Sequence, residues 1–296
     1  MKLSDREKIE IVNSYVKGIS GTKLAKKYNV YPTTIYSILR RRDIKIRNVS
    51  HCHRKYNINE QYFDKINTEG KAYFLGLLFA DGYNVPERGM IRIFLQEEDK
   101  EILCEFRKRI NYEKPLYFRD YTKKGWCNQY GLCITNKHMS NQLNKIGCKR
   151  NKSKDCKFPN ISKKFVRHFI RGYYDGDGSL RWAKNGKFNV PKGVLDIVGS
   201  KSFCLSLRNI IIKKLKMNIG MYEHSCSKKH EEQNKKMYII ALGGNNKIKK
   251  FLRWIYKDSN VYFQRKFDKY QELLRLTTPK IKYNNLRFSH MKENKQ

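Results

Sequence analysis

Two segments of the chain resemble each other and end alike, Ala72–Gly82 (AYFLGLLFADG) and His168–Gly178 (HFIRGYYDGDG). In each, small residues stand four apart, Gly76 with Ala80 and Gly172 with Gly176, and an aspartate, Asp81 or Asp177, precedes the last glycine. On a helix such residues share one face, and the missing side chains there let two helix backbones approach closely. The final Gly suits a left-handed C-terminal cap, whereas an aspartate in the last turn opposes the helix dipole. One such aspartate says little. Two, at matching ends of close-packed helices, stand side by side and repel unless a cation separates them. Oxygen ligands select a hard divalent ion, so Mg²⁺ is the expected occupant, with Mn²⁺ as a substitute.

The rest of the composition says what that ion acts on. Of 296 residues, 64 are Lys or Arg and 27 are Asp or Glu, a formal charge of +37. Self-repulsion on this scale is tolerable when a polyanion neutralises it, and nucleic acid is the first candidate. A carboxylate pair holding Mg²⁺ in such a chain points to phosphoryl chemistry on nucleic acid. An anionic membrane fits less well, because the basic residues run from Lys2 to Lys295 and form no compact block. The longest apolar run, Ala72 to Ala80, is too short for a bilayer, and MKLSDREKIE lacks a signal peptide's apolar stretch. The expectation is a soluble, intracellular, cytoplasmic protein of a bacterial or phage setting. A 40% hydrophobic and 13% aromatic content provides for a folded core. The 8 cysteines include no CxxC pair, and His51-Cys52-His53 has no second ligand pair nearby, so reduced structural cysteines are expected.

The elements that position these residues begin with a small all-α domain over residues 1–46. Ser4 and Glu7 form a capping box ahead of Ile9, Val12 and Val16, while Gly18 and Gly21 interrupt the pattern. A second helix is predicted over residues 22–28, with Leu24 and Ala25 inward, and a third from Pro32 to about Arg41 on Ile35, Ile38 and Leu39. The third helix presents Thr33, Thr34, Tyr36, Ser37 and Arg40, groups suited to base edges and phosphates. This segment resembles a helix-turn-helix of the resolvase or homeodomain-like kind. Residues 47–66 are expected as a linker.

From residue 67 the chain repeats an αββαββα unit, over 67–160 and 161–276, leaving a basic tail at 277–296. After each motif come a turn (Glu87-Arg88-Gly89, then Asn185-Gly186) and an alternating strand (Ile91, Ile93, Leu95; then Leu195, Ile197). Helices are predicted over residues 100–110 and 203–215, a second hairpin in each half, and closing helices over 139–146 and 247–254. Alternation that turns Ile91, Ile93 and Leu95 inward turns Arg92 and Gln96 toward a ligand. Arg119, Lys123, Arg181, Lys184, Lys187, Ser200, Lys201 and Lys228 lie in or near the hairpins and are candidate DNA contacts.

Phe74–Gly82 and Ile170–Gly178 resemble the two signature helices of LAGLIDADG (dodecapeptide) homing endonucleases in their monomeric, two-motif form, over about residues 67–276. The resemblance implies an α+β fold of two pseudosymmetric halves whose sheets form a DNA-binding β-saddle with the signature helices at its centre. It implies metal binding by Asp81 and Asp177, helped by the carbonyls of Ala80 and Gly176, and a catalytic lysine after each half, at Lys152 and Lys266. Phe79 stands where the first motif often carries another acid and is expected to pack; the second keeps Asp175. The expected activity is Mg²⁺-dependent, site-specific double-strand DNA cleavage by a monomer, one strand per active site across the minor groove, leaving short 3′ overhangs. A leading Cys and a terminal His-Asn are lacking, so a free-standing or intron-encoded enzyme of a mobile element is expected rather than an intein. Two alternatives stay open: an RNA maturase assisting intron splicing, and a catalytically inert DNA-binding regulator.

Overall fold

Residues 3–46, 56–150, 156–183, 191–224 and 236–277 are described by the computed structural model. The chain divides into two units, Met1–Asn57 and Ile58–Gln296. None of the helices among the described residues is long and apolar enough to cross a membrane.

The first unit is three helices: α1 (Asp5–Val16), α2 (Gly21–Lys27) and α3 (Pro32–Arg41). The capping box forms, with the Ser4 N–H donating to Glu7 Oε2 at 2.7 Å and the Glu7 N–H to Ser4 Oγ at 3.3 Å. Gly18 breaks the chain at φ +109°, and Ser20 then caps α2. Gly21 therefore opens that helix instead of interrupting it, and its bare Cα accepts the Tyr36 ring, whose Cε1 would lie 2.8 Å from a Cβ there. The core is Ile11, Tyr15, Leu24, Ala25, Ile35, Ile38 and Leu39. The expected inward stripe of α1 is corrected: Ile9 and Val16 are exposed, while Ile11 and Tyr15, four apart, are buried. Spacing does not choose between two neighbouring stripes, and packing buries the one carrying the aromatic ring.

The second unit repeats the predicted order. Its first half has α4 (Glu69–Ala80), β1 (Tyr83–Val85), β2 (Met90–Gln96), α5 (Lys100–Arg109), β3 (Tyr117–Arg119), β4 (Gln129–Thr135) and α6 (Lys137–Ile146). Its second half has α7 (Val166–Asp177), β5 (Gly178–Trp182), β6 (Gly193–Gly199), α8 (Lys201–Leu215), β7 (Gly220–His224), β8 (Met237–Gly243) and α9 (Asn245–Tyr256). Two antiparallel four-stranded sheets result, ordered β1-β2-β4-β3 and β5-β6-β8-β7. The same order twice makes the α+β pseudosymmetry a property of the backbone. The hairpin residues Asn185 and Gly186 lie outside the described residues, as do residues 47–55 of the linker and the tail from 278 onward. The linker is shorter than expected on its C-terminal side, because Tyr62 and Phe63 are buried in the second unit's core.

Each sheet turns one face to its helices. Ile91, Ile93 and Leu95 pair across the sheet with Ile134, Leu132 and Tyr130, and Leu195 and Ile197 with Leu242 and Ile240. The strand residues between them form the opposite face, where Arg92 and Gln96 are exposed.

A helix that the repeat pattern does not contain, α10 (Gln264–Thr277), follows α9. It buries Lys266, Tyr270 and Leu273, and its Arg265 reaches the first half, donating to Asp99 Oδ2 from Nη2 at 2.9 Å. The period of Phe263, Lys266, Tyr270 and Leu273 is helical, but a basic residue in the apolar stripe disguises it.

A buried polar network fastens the start of α4 to α7. Arg171, fully buried, donates to Glu69 Oε1 (2.6 Å), Ile255 O (2.8 Å), Val261 O (3.0 Å) and faces His168 Nδ1 at 2.8 Å. Glu69 also accepts from the Asn260 N–H at 2.7 Å. Burial, with the Arg171 guanidinium beside it, pushes the His168 imidazole down to about 4. The folded protein therefore binds that proton less readily than the unfolded chain does, and the stability held above the ordinary imidazole pKa is lost as pH falls toward 4. In thermal melts, His168→Gln is expected to flatten this loss relative to the parent between pH 6.5 and 4. Parallel melting profiles for the two proteins would show that the imidazole carries no such coupling.

Candidate active site

The two motif helices, α4 and α7, cross at the centre of the second unit. A Cβ on Gly76 would overlap the Phe169 carbonyl oxygen, and one on Gly172 would overlap the Tyr73 carbonyl oxygen, so only glycine permits this approach at either position. Phe79 packs edge-on against Phe169 across the same seam, centroids 5.2 Å apart, as expected of a packing residue.

The close approach continues to the helix ends. A Cβ at Gly176 would overlap that of Ala80 and stand 2.7 Å from Asp81 Oδ2. The Asp81 carboxylate is thus tucked against the backbone of the residue preceding Asp177, in space that any side chain at position 176 would fill. Asp177 acts electrostatically on the buried Tyr173 hydroxyl, which donates to Val198 O at 2.9 Å and is held from ionising by burial first and that carboxylate second. The seam brings together Asp81, Asp177, Ala80 and Gly176. Carboxylates at Asp81 and Asp177 with the carbonyls of Ala80 and Gly176 would make a hard-oxygen set of the kind that Mg²⁺ takes. Groups of three or more His, Cys, Asp or Glu that could hold a metal ion are absent among the described residues.

The glycines after each aspartate have another role than the left-handed cap expected of them. Gly178 is extended, at φ −95° and ψ 157°. Both are required for space: a Cβ at Gly82 would stand 2.6 Å from Leu78 O, and one at Gly178 would overlap the Tyr174 ring.

Lys266 is buried against the end of α7. Its ammonium donates to the carbonyls of Tyr174 (2.7 Å), Asp175 (2.6 Å) and Gly178 (2.6 Å), which uses all three protons on the C-terminal turn of α7. Burial pulls its pKa down to about 8, against the opposing pull of Asp175 and, more weakly, Asp81. As placed, Lys266 orients the turn that carries Asp177; it is a positioning residue. Lys152 lies outside the described residues. Asp175 is fully buried and accepts from the Tyr73 hydroxyl (2.7 Å) and the Phe263 N–H (2.9 Å), and burial pushes it up to about 6. It locks α4, α7 and the approach to α10 together and does not belong to the acid pair.

The recognition candidates divide. Thr33, Thr34 and Arg40 are exposed on α3, and Ser37 is half-buried; Tyr36 is half-buried against Gly21. Arg92, Gln96, Arg119, Lys123 and Lys201 are exposed in the second unit. Arg181 is exposed but ion-paired with Asp196, which is buried on the outer face of its sheet. Ser200 is corrected: it is buried, caps α8 by accepting from the Phe203 N–H at 3.3 Å, and donates to Cys156 O at 2.5 Å. A serine one residue before a helix is a cap first, which its place ahead of Phe203 already indicated. Lys184, Lys187 and Lys228 lie outside the described residues. The buried Arg171 and its partners were not anticipated, although an arginine in the middle of an apolar helix is the signal that marks them.

Residues 2–47 match the family model of the CENP-B N-terminal DNA-binding domain. The match covers all three helices of the first unit. Over 197 residues, 60% of this chain, the sequence is 26% identical to the DNA-directed RNA polymerase subunit Rpo1C of Methanocaldococcus jannaschii; the match spans 22% of that relative's length. Among solved structures, the chain is similar to the LAGLIDADG homing endonuclease I-LtrWI bound to target DNA, with a TM-score of 0.46, 11% identity and coverage of 73% of this chain and 91% of that one. It is also similar to the homing endonuclease I-WcaI bound to its DNA recognition sequence, with a TM-score of 0.45, 16% identity and coverage of 66% and 85%.

Proposed function

We propose that the chain is a site-specific double-strand DNA endonuclease, dependent on Mg²⁺, that acts as a monomer for a mobile genetic element. The single observation that supports the reading is the meeting of Asp81 with Gly176, the residue before Asp177, at the crossing of the two motif helices. The formal charge of +37 makes a polyanion the natural substrate, and a paired acid site in such a chain has hydrolysis of phosphodiesters as its natural task. A DNA-binding module at the N-terminus adds contacts that lengthen the recognised site or tether the enzyme near it.

When bound, Mg²⁺ supplies charge neutralisation at the scissile phosphate and a more acidic water. The chain's own residues do the rest. Asp81 and Asp177 would provide the oxygens that fix the cation, and the Gly76–Gly172 crossing would hold those oxygens in register. Lys266 braces the turn under Asp177 through three carbonyls, so that carboxylate need not reorganise during the reaction. The exposed sheet residues and α3 orient the duplex. Incubating the purified chain with Mg²⁺ and the uninterrupted DNA that flanks its gene is expected to give two fragments with short 3′ overhangs, and none in EDTA. Intact duplex across a randomised library in Mg²⁺ and in Mn²⁺ would overturn the proposal.

A further inference from the structure

The outer face of the first sheet carries an arrangement without counterpart in the second. Phe94 on β2 pairs with Gly131 on β4, and its ring occupies space that a Cβ at Gly131 would overlap. Arg119, on the edge strand β3, places its guanidinium carbon 3.4 Å from the centre of that ring. Because the strand order is β1-β2-β4-β3, the side chain crosses over β4 from the edge of the sheet to its middle. Strands lie about 4.8 Å apart, so this is nearly the full reach of an arginine. In the second sheet Val198 pairs with Ile239 at that level, and the exposed Arg181, on the opposite edge strand, is bound to Asp196. Arg119 forms no ion pair with a carboxylate among the described residues, and its partner there is the ring.

We infer that Arg119 is a specificity-determining residue that reads a guanine in the major groove, with Phe94 and Gly131 as its positioning residues. The inference rests on the endonuclease reading above and adds to it what one part of the sheet recognises. A phosphate needs only a positive charge, which a mobile side chain at the sheet edge supplies. A guanine needs two coplanar donors on O6 and N7 held in a fixed place. Stacking takes one face of the guanidinium, fixes its position over the central strands and leaves the N–H groups on its rim for the ligand. Gly131 is the enabling residue, since a side chain there would lift Phe94 off the sheet. Arg92 and Lys114 lie close enough to act, with Arg119, on the Cys133 thiol, so cationic neighbours surround the stack and draw the backbone of the duplex toward it.

Selection of bound duplexes from a randomised pool separates the alternatives. The experiment uses the chain carrying Asp81→Asn and Asp177→Asn, so that bound DNA stays intact. The parent is expected to enrich guanine at a position where Arg119→Lys lowers the enrichment about tenfold and leaves the other positions unchanged. Phe94→Leu is expected to lower it part of the way at that same position. Unchanged guanine enrichment in Arg119→Lys overturns the assignment, and so does uniform weakening on all sequences by Arg119→Ala with the salt slope reduced by about one, the mark of a phosphate contact. A parent that enriches no sequence would overturn the endonuclease reading, and this assignment with it.

Discussion

Replacing Asp81 or Asp177 with Asn is expected to lower DNA cleavage by about 10³-fold, roughly 4 kcal/mol in the barrier, while duplex binding persists. Asn keeps the shape of the side chain and removes only the charge. In the proposed site that charge is what holds a divalent cation, and the Asp81 oxygen occupies space that a side chain at position 176 would fill. The sign for binding is opposite to that for cleavage. Each substitution removes a negative charge from a surface meant to meet phosphates, so affinity in a filter or gel assay is expected to hold or rise, more visibly at low salt. Because both acids stand at one seam, either substitution alone is expected to impair cutting of both strands. A variant that retains more than about a tenth of parental cleavage would remove that acid from the reaction, and cleavage intact in both would remove the site.

The fold around the two aspartates was legible in the sequence because duplication makes a weak signal strong. A single Gly-x-x-x-Ala ending in Asp-Gly occurs in many core helices. Its second copy, followed by the same order of hairpins and helices, predicted α4, α7, both sheets and the inward set Ile91, Ile93, Leu95, Leu195 and Ile197, all of which are buried. What repetition cannot show is whatever the two halves do not share. Arg171, His168 and Asp175 occupy α7 where α4 carries Leu75, Ala72 and Phe79, so their network with Glu69, Tyr73 and Asn260 is a tertiary event with no period to announce it. Likewise α10 belongs to one half alone. Lys266 was singled out as a lysine near the reaction centre, but sequence does not say which way a long side chain turns. The three carbonyls at and just past the end of α7 decide it, since together they give the buried ammonium an acceptor for each of its protons. The same logic moves Ser200 from the recognition surface to a helix cap. The side chains that the sequence placed well are those whose role follows from a face of a strand or a stripe of a helix.

Gly172→Ala, or Gly76→Ala, is expected to be the most damaging small substitution in the chain, for a reason unrelated to helix propensity, which alanine would improve. At each position the added methyl enters the backbone of the opposite helix, the Tyr73 carbonyl in one case and the Phe169 carbonyl in the other. Backbone atoms at the crossing of two packed helices cannot swing aside as a flexible side chain can, so the helices must separate along their length. Overpacking of this kind costs about 3 kcal/mol, which for a unit of this size lowers the melting temperature by roughly 6 to 12 °C. The same separation withdraws Asp81 from Gly176, and a displacement of about 1 Å at a reaction centre costs on the order of 10²-fold in rate, so surviving folded protein is expected to bind DNA yet cut it poorly. Gly125→Ala is the control. Gly125 has a positive φ of 66° but nothing within 4 Å of its Cβ position, so alanine there meets only local strain of about 1 kcal/mol and leaves cleavage unchanged. Equal effects of the seam and hairpin substitutions on melting and cutting would mean that the helix crossing does not set the spacing of the two acids.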